Sequence, residues 1–590
     1  MKRSEVATEY KWDLESIYAT DEEWEKEFAQ VKSQVEEITK FKGTLDSVEK
    51  VKELFTFSDA LDIALSRLYS YAHMRKDENS ALAKYVGMKD RIAQTYSAFA
   101  SASSFISPEL TSKSEEFLNS LAKAKELADY DYVLGELIRL KKHVLSEKEE
   151  KLLSMASVPL SSFSDIFGMA DNVDLPLGEI EVDGEKITLT HGKYSTCLQH
   201  KDQSVRKNAF ETYYGSFEKL INIICSTYAG SVKKDNFYAR AKGYENCLEM
   251  KMYNENVPTE VYNNLLASVN KYLPTLHKYV ALRKKMLSLD TLNMYDMYVP
   301  IADAEISVEF DEAFNIVKNG LKPLGEEYAN LLQTAKDERW MDVYETENKR
   351  SGAYSSGSYG TKPYVLLNYS KTTHDVFTIA HELGHSIHSY YSEKNQPFAK
   401  SNYEIFVAEV ASTVNEVLLL KDMIAKAEDK ELKKFLLAYY LDMFRTTLFR
   451  QTMFAEFEKF AHDSDDNSEA LTKEYLSEKY LELNKKYYGD AVVHNDQIAI
   501  EWARIPHFYT SFYVYKYATG ITSAVTIANN ILTKKGYVET YKKFLSSGSS
   551  ASPYDILKNA GVDLKEEEPF KVAMQEFENT LALLEELYED

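Results

Sequence analysis

Glycine and proline are scarce in this chain, and their scarcity limits the folds that are open to it. Only 21 glycines and 12 prolines are spread over 590 residues, of which 44% are hydrophobic. Strand-rich folds need frequent turn residues, so this composition favours long helices with short connections. The apolar content is enough for a large core and too high for a disordered chain. We therefore predict a mainly α fold.

The pattern along the chain suggests two domains. From residue 21 to about residue 158, apolar residues recur at three- and four-residue spacing, which is typical of helices. The first clear strand signal lies at 178–198, where alternating runs flank Asp183-Gly184, the signature of a β-hairpin. Helical patterns resume beyond it. We therefore place a domain boundary near residue 195, with a helical domain at 1–195 and a second domain at 196–590.

Charge and cysteine content exclude several classes of partner. The formal net charge is −23, whereas nucleic-acid binding requires a cationic surface. The first residues lack the apolar region of a secretory signal, and no run approaches the roughly 18 uninterrupted apolar residues of a membrane span. Cys197, Cys225 and Cys247 are widely spaced and odd in number, which indicates reduced thiols. We expect a cytoplasmic protein with neither a nucleic-acid nor a membrane partner.

Four of the twelve histidines lie in one stretch, TTHDVFTIAHELGHSIHSYY, at residues 372–391. It follows a zone rich in glycine and serine and then an apolar run of strand length at 364–369. Thr372 or Thr373 can cap a helix here, with Asp375 near its first turn. The histidine cluster is thus predicted to lie on a helix entered directly from a strand.

His381 and His385 belong to an HExxH motif. Residues four apart share one face of a helix, so both imidazoles can reach a single ion, and zinc is commonly held in this way. Glu382 projects beside that face, where it can take a proton from a water that the ion activates. A chance helix surface is the alternative, and the helical context and the apolar flanks count against it.

The third metal ligand has three candidates. A HExxHxxGxxH arrangement is excluded, because the chain has His388 and Tyr391 at the last two required positions. His388 shares the helix face, but three ligands over two turns of one helix would strain the coordination, so a supporting or core role suits it better. The remaining candidate lies in YEIFVAEVASTVNEVLLL, where Glu409 and Glu416 fall within an apolar helical stripe.

A buried carboxylate is costly unless it is paired or bound to metal. We therefore favour Glu409 as the third ligand and Glu416 as the carboxylate that orients a ligand histidine. The alternative is a half-exposed helix with solvated glutamates.

These motifs resemble the thimet-oligopeptidase family of zinc metallopeptidases, specifically its oligoendopeptidase F branch. HELGH is followed by FVAEVAST, and YKWDLESIY, RIPHFYTSFYVYKYATG at 504–520 and SPYDILKNAGVD at 552–563 extend the resemblance over the whole chain. It implies a helical zincin-type body with a small β-sheet near the active site, a deep central channel and a catalytic domain at 196–590. It also implies a cytoplasmic endopeptidase that cleaves short peptides and excludes folded proteins.

The same resemblance implies roles for individual residues. His381, His385 and Glu409 match the ligands of one Zn²⁺ per chain, and Glu382 matches the catalytic base. His507 matches a histidine that helps to stabilise the oxyanion.

The tyrosines that follow His507 match a segment that grips the substrate. Tyr515 is the best match for the principal substrate tyrosine and Tyr509 for a second, although the glycine-rich loop of mammalian relatives is shortened here. The residues agree, because tyrosine offers a phenolic donor to a developing oxyanion. An aromatic core with hydroxyls at its rim is the alternative for any one of them.

Three functions remain to be separated. The favoured one is peptide hydrolysis, in which the run at 364–369, if it is an exposed edge strand, pairs with the substrate backbone. A peptide-binding scaffold with a vestigial metal site would be expected to lack Glu382, which is present. An exopeptidase would need a charged clamp for a substrate terminus. The sequence fixes neither the oligomeric state nor the choice of zinc over manganese or cobalt.

Overall fold

The computed structural model describes residues 1–302, 304 and 307–589, and most of them lie in helices. The α-helices of the first half are α1 (Asp21–Gln34), α2 (Val48–Glu78), α3 (Ala83–Ser103), α4 (Ile106–Thr111), α5 (Glu115–Lys123), α6 (Asp131–Leu140), α7 (Glu147–Met169), α8 (His191–Cys197), α9 (Gln203–Ala241), α10 (Cys247–Asn254), α11 (Thr259–Lys271) and α12 (Leu273–Met286).

The α-helices of the second half are α13 (Phe310–Gly320), α14 (Glu326–Asp337), α15 (Thr373–Asn395), α16 (Phe398–Ser401), α17 (Ile405–Lys426), α18 (Lys430–Met443), α19 (Arg450–Asp466), α20 (Lys473–Tyr488), α21 (Tyr515–Thr533), α22 (Tyr537–Leu545), α23 (Pro553–Asn559) and α24 (Glu568–Glu589). The prediction of a mainly α fold is confirmed.

Two small sheets interrupt the helices. The first pairs β1 (Glu179–Val182) with β2 (Glu185–Thr188) in antiparallel orientation. Asp183 and Gly184 connect the two strands with φ angles of 52° and 83°. Two consecutive positive φ angles are what a tight primed turn requires, so the predicted hairpin is confirmed.

The second sheet contains β3 (Met341–Asp342), β4 (Tyr354–Ser356) and β5 (Tyr364–Leu366) in the order β3-β5-β4. Strand β5 pairs with β3 in parallel and with β4 in antiparallel orientation. The run at 364–369 was expected to pair with a substrate only if it formed an exposed edge strand, and this condition is not met. Its strand is central and fully buried, so its backbone is already paired on both sides. The two edge strands are β3 and β4.

The chain forms two compact units, each assembled from three separate stretches. The first unit contains Met1–Val144, Glu305–Met423 and Ile527–Val562, and the second contains Leu145–Ala304, Ile424–Thr526 and Asp563–Asp590. The boundary near residue 195 divides the sequence differently and stays a prediction. The central channel also stays a prediction.

The core of the first unit explains where the second sheet sits. Trp24, Leu65 and Leu68 are fully buried there, and Tyr364 and Leu366 of β5 join the same cluster. Alternate residues of a strand point to opposite faces, so Val365 faces away from this cluster. Helix α15 packs against β4 and β5. The sheet therefore holds α15 in place, which agrees with the prediction of a helix entered from a strand.

In the second unit, α9 is the longest helix, with 39 residues, and packs against α7 and α19. Helix α7 exposes Leu152, Met155 and Val158. By length and hydropathy alone, residues 147–174 meet the criteria for a bilayer-spanning helix. This is weak evidence by itself, and the absence of a membrane partner stays a prediction.

Candidate active site

Helix α15 begins with a capping box. Thr372 accepts the backbone N–H of Asp375, and the Asp375 carboxylate accepts the backbone N–H of Thr372. These bonds satisfy donors that the first turn leaves free and fix where the helix starts. The 3.6-residue period then places His381 and His385 on one face. The local sequence therefore determines which side chains this helix presents.

Three ligand-type atoms converge above that face. The Nε2 atoms of His381 and His385 lie 3.2 Å apart, and Oε2 of Glu409 on α17 lies 3.4 Å from each of them. Ligands of a tetrahedral zinc with bonds of about 2.0–2.1 Å are separated by about 3.3–3.4 Å. Among the described residues, this is the group of three whose spacing suits one metal ion. The donor set and its spacing both fit a divalent metal.

Glu416 sets the orientation of the first histidine. Its Oε2 atom lies 3.1 Å from Nδ1 of His381. An Nδ1–H donated to this carboxylate leaves the Nε2 lone pair free to face the other two ligand atoms. Burial opposes a charge on the imidazole, but Glu409 and Glu416 outweigh it and raise the pKa of His381 to about 10. The pocket is thus strongly electronegative at the place where a cation would bind.

The close approach of α15 and α17 depends on Gly384. A Cβ atom at this position would lie 2.6 Å from Cα of Ser412 and 3.0 Å from the carbonyl oxygen of Ala411. Asn415 adds a second link, because its amide donates to the carbonyl of Ala380 at 3.0 Å. The helices are therefore held close enough for Glu409 to reach the two histidines.

Glu382 lies beside the ligands and is buried. Burial raises the pKa of its carboxyl group, and the neighbouring histidines oppose this shift. Its side chain lines the same cavity as His381, His385 and Glu409. A buried carboxyl group with a raised pKa beside a cluster of ligand-type residues is a candidate functional group.

His388 does not join the converging group. It is buried, and its ring stacks on Tyr403 with centroids 3.7 Å apart. The ring of Phe544 lies on it at 5.5 Å. Burial lowers the pKa of His388 to about 3, so this imidazole is neutral. Its surroundings suit the core role that the sequence favoured.

A cavity of about 540 Å³ opens beside the ligand residues. Residues 353–359, which include β4, form one wall, and α15 forms another. Tyr403 and Phe398 also line it. Strand β4 is an edge strand of its sheet and lies beside the same cavity as the three ligand atoms.

In the second unit, His507 lies among two tyrosines. Nε2 of His507 is 3.3 Å from the hydroxyl of Tyr517, and its ring stacks with that of Tyr513 at a centroid distance of 6.0 Å. The two tyrosine rings meet edge to face at 5.5 Å. All three side chains reach solvent. We call His507, Tyr513 and Tyr517 the His507 cluster.

The two tyrosines predicted from the sequence lie elsewhere. Tyr515 is 0% exposed, and its hydroxyl donates to Glu255 at 3.1 Å. Tyr509 is half-buried, with its hydroxyl 2.7 Å from that of Thr227 and its ring stacked on Phe167. The hydroxyls of Tyr515 and Tyr509 therefore bond to residues other than His507. Tyr513 and Tyr517, which contact His507, are four residues apart in the sequence.

Comparison with known proteins finds relatives that match almost the whole chain. Residues 196–576 match the sequence model of Peptidase family M3, and residues 109–176 match that of Oligopeptidase F. Oligopeptidase PepF from Bacillus subtilis strain 168 is 45% identical over 590 residues, covering 99% of this chain and 88% of the relative.

Two solved structures support this placement. A chain from Chlamydophila abortus is 36% identical with a TM-score of 0.95, and the match covers 99% of each chain. Oligoendopeptidase-F from Enterococcus faecium is 33% identical with a TM-score of 0.75, over 96% of this chain and 99% of that one.

Proposed function

Because the chain belongs to Peptidase family M3, whose members are metallopeptidases, we propose that it is a zinc-dependent endopeptidase of short peptides. Its classification as a metallo-oligoendopeptidase follows from the family and from its relatives. The observation that carries the finer proposal is the triangle of ligand atoms from His381, His385 and Glu409, with Glu382 on the wall of the same cavity.

Two imidazoles and one carboxylate form a ligand set that zinc commonly takes in hydrolases. We assign His381, His385 and Glu409 as the residues that would hold one Zn²⁺ per chain. When bound, the ion supplies Lewis-acid chemistry, polarising a peptide carbonyl and lowering the pKa of water. Glu416 fixes the tautomer of His381 in this arrangement.

The proton transfers are assigned to Glu382. Its carboxylate accepts a proton from the attacking water and then delivers it to the amine of the departing product. The raised pKa of Glu382 supports both steps, because the group must be deprotonated before the attack and must hold a proton after it.

Stabilisation of the oxyanion is assigned to the His507 cluster. The phenol of Tyr517 and the imidazole of His507 are donors that can serve a developing negative charge. We assign this role to Tyr517 and Tyr513 instead of Tyr515 and Tyr509, because the hydroxyls of the last two bond to Glu255 and Thr227. The edge of β4 takes the place of β5 as the strand that pairs with the substrate backbone.

Location and partners are proposed from composition and cysteine content. Cys197, Cys225 and Cys247 are buried free thiols, which supports a cytoplasmic location. The net charge of −23 argues against a nucleic-acid partner. We propose short peptides as substrates, with folded proteins excluded.

A blocked oligopeptide tests the proposal against its rivals. With both termini capped, the protein should cut an internal bond, which mass spectrometry of the products locates. A chelator should abolish cleavage, added zinc should restore it, and elemental analysis should find one zinc per chain. Full activity of metal-free protein would contradict the metal assignment. Cleavage that needs a free terminus would indicate an exopeptidase, and zinc binding without any cleavage would indicate a scaffold.

A further inference from the structure

The cavity beside the metal ligands extends well beyond them along α15. His381, His385, Ser389 and Glu393 all line it, and they follow one another at four-residue spacing. At a rise of 1.5 Å per residue, the backbone of Glu393 is about 12 Å from that of His385. An extended peptide covers about 3.3 Å per residue, so this length corresponds to about three or four substrate residues.

Glu393 is a carboxylate without a cationic partner. Its Oε2 atom accepts the backbone N–H of Gly360 at 3.3 Å, and no lysine, arginine or histidine nitrogen of the described residues lies within 4.0 Å of its carboxylate. The side chain is half-buried, and burial raises the pKa of its carboxyl group to about 7. A carboxylate in such a place is costly unless something pairs with it.

The cations near this end of the cavity are engaged elsewhere. Among the described residues that line the cavity, Lys362 is the one lysine or arginine, and its Nζ atom binds Asp13 at 2.8 Å and the carbonyl of Glu338 at 2.8 Å. Lys394 follows Glu393 in sequence, but its Nζ atom lies over the ring of Tyr390 at 5.5 Å. No residue in the described part of the chain therefore forms an ion pair with Glu393.

We propose that Glu393 forms a binding subsite for a cationic group of the peptide substrate, three or four residues away from the bond that is cut. This inference rests on the proposed peptidase function and names part of its substrate class. Two sources of the cation share the same chemistry, the side chain of lysine or arginine and a free N-terminal ammonium. The alternative is that Glu393 serves only to hold Gly360.

Glutamine at position 393 separates these roles. Glu393→Gln keeps an oxygen that can accept the N–H of Gly360 and removes only the negative charge. Glu347 is exposed in the same unit and outside the cavity, so Glu347→Gln is a matched control for the loss of one charge. Neither position belongs to the assigned catalytic residues.

The probes are quenched-fluorescent peptides in matched pairs. One series has capped termini and carries arginine or its neutral isostere citrulline at each position in turn. A second series compares free and acetylated N-termini at different distances from the cleaved bond. Because the protein is acidic overall, general attraction would favour arginine at every position alike. A subsite at Glu393 favours it at one position, or favours the free terminus at one peptide length.

At the favoured position, kcat/KM of the parent protein should be about 10-fold higher for the cationic peptide, as for a hydrogen bond to a charged partner. Glu393→Gln should bring this ratio close to 1 and retain cleavage of the neutral peptide, while Glu347→Gln keeps the parental ratio. Which series shows the effect identifies the source of the cation.

Two results would overturn the subsite alone. One is a ratio near 1 at every position in the parent protein, which needs no variant and so does not depend on whether Glu393→Gln folds. The other is a ratio that Glu393→Gln leaves unchanged. If the parent protein cleaves no peptide in either series, the proposed peptidase function fails and the subsite fails with it.

Discussion

Helices α15 and α17, called the metal helices below, and the segment around His507 carry comparable numbers of candidate residues. The sequence predicts which side chains come together much better in the helices than in the segment. On α15 and α17, the ligand residues named from the sequence converge to within 3.4 Å. Around His507, the two tyrosines named from the sequence bond to Glu255 and Thr227, and two others contact the histidine. The difference lies in the backbone. In a regular helix, the spacing of residues in the sequence determines the direction in which their side chains point. In an irregular segment it does not.

The largest expected effect tests the division of labour in the metal helices. Glu382→Gln should keep its zinc and lose about 10²–10⁴-fold in kcat, because it removes the proton acceptor without removing a ligand. Glu409→Ala should instead weaken zinc binding. Steady-state kinetics together with elemental analysis measure both. If Glu382→Gln lost the metal and Glu409→Ala retained it, the two assignments would have to be exchanged.

The next effect tests the irregular segment. His507→Ala and Tyr517→Phe should each lower kcat by about 10²–10³-fold while zinc content stays at the parental level, as expected for the loss of an oxyanion donor. Tyr515→Phe, only two residues away, is the matched control. It should leave kcat near the parental value and cost about 1 kcal/mol of stability, since it removes the hydrogen bond to Glu255.

Kinetics on one quenched-fluorescent peptide decide between the tyrosines. A large loss of kcat in Tyr515→Phe, with Tyr517→Phe close to the parent, would restore the choice made from sequence. Tyr513→Phe completes the set, because its ring contacts both other members of the cluster. If none of the three variants loses kcat, the segment does not contact the transition state.

The sequence predicts the metal helices because the features that define them depend on neighbouring residues in the sequence. The capping box at Thr372 and the four-residue repeat of His381 and His385 follow from neighbours along α15, and the apolar stripe around Glu409 follows from neighbours along α17. The fold class follows in the same way from scarce turn residues. That α15 and α17 meet does not follow from spacing. The choice of Glu409 rested instead on the cost of a buried carboxylate in an apolar stripe, and the resemblance to a known family agreed with it.

The second region escapes such reasoning for a physical reason. Phe512 has a φ angle of 55°, which bulky side chains rarely adopt. This turn changes the direction of the chain just before α21 begins, so alternation along the sequence no longer indicates which tyrosine faces solvent. Strand β5 shows a similar limit, since it pairs with β3 in parallel and with β4 in antiparallel orientation, and its own sequence specifies neither partner. An apolar run reveals burial but not which strands lie beside it.

A smaller effect tests how closely the metal helices must approach. Gly384→Ala places a Cβ atom where it would contact Ser412 at 2.6 Å, so α15 and α17 must separate. We expect zinc affinity to fall by about 10-fold or more, as for other losses of support around a metal, and overpacking to cost about 1–3 kcal/mol. Competition with a chelator of known affinity measures the first, and thermal unfolding of the metal-free protein measures the second.

Gly87→Ala is the control for that substitution. Gly87 lies in α3 of the same unit, and a Cβ atom there meets nothing within 4 Å. Alanine is the better helix former, so this variant should be as stable as the parent or slightly more stable. Equal zinc affinity in the Gly384→Ala and parent proteins would show that the helices tolerate a wider spacing.

The smallest effect concerns the buried glutamate that accepts a hydrogen bond from the irregular segment. Glu458 is fully buried, and its carboxylate accepts the backbone N–H of Phe512 at 2.6 Å. Burial raises the pKa of Glu458 to about 8. The folded state therefore holds a proton on this group between about pH 4.5, near the pKa of an unperturbed glutamate, and about pH 8, where the unfolded chain does not. Its contribution to stability is thus lost as the pH rises through that window.

Glu458→Gln removes this dependence and keeps an acceptor for Phe512. The melting temperature of the variant relative to the parent should therefore be higher at pH 8 than at pH 5, by about 2 °C or more. Glu181→Gln, an exposed site in the same unit, should show the same difference from the parent at both pH values. If the Glu458→Gln difference does not change with pH, Glu458 is not the group that titrates, and Phe512 is held by hydrogen bonding alone. The left-handed conformation of Phe512 would then not depend on the protonation of Glu458.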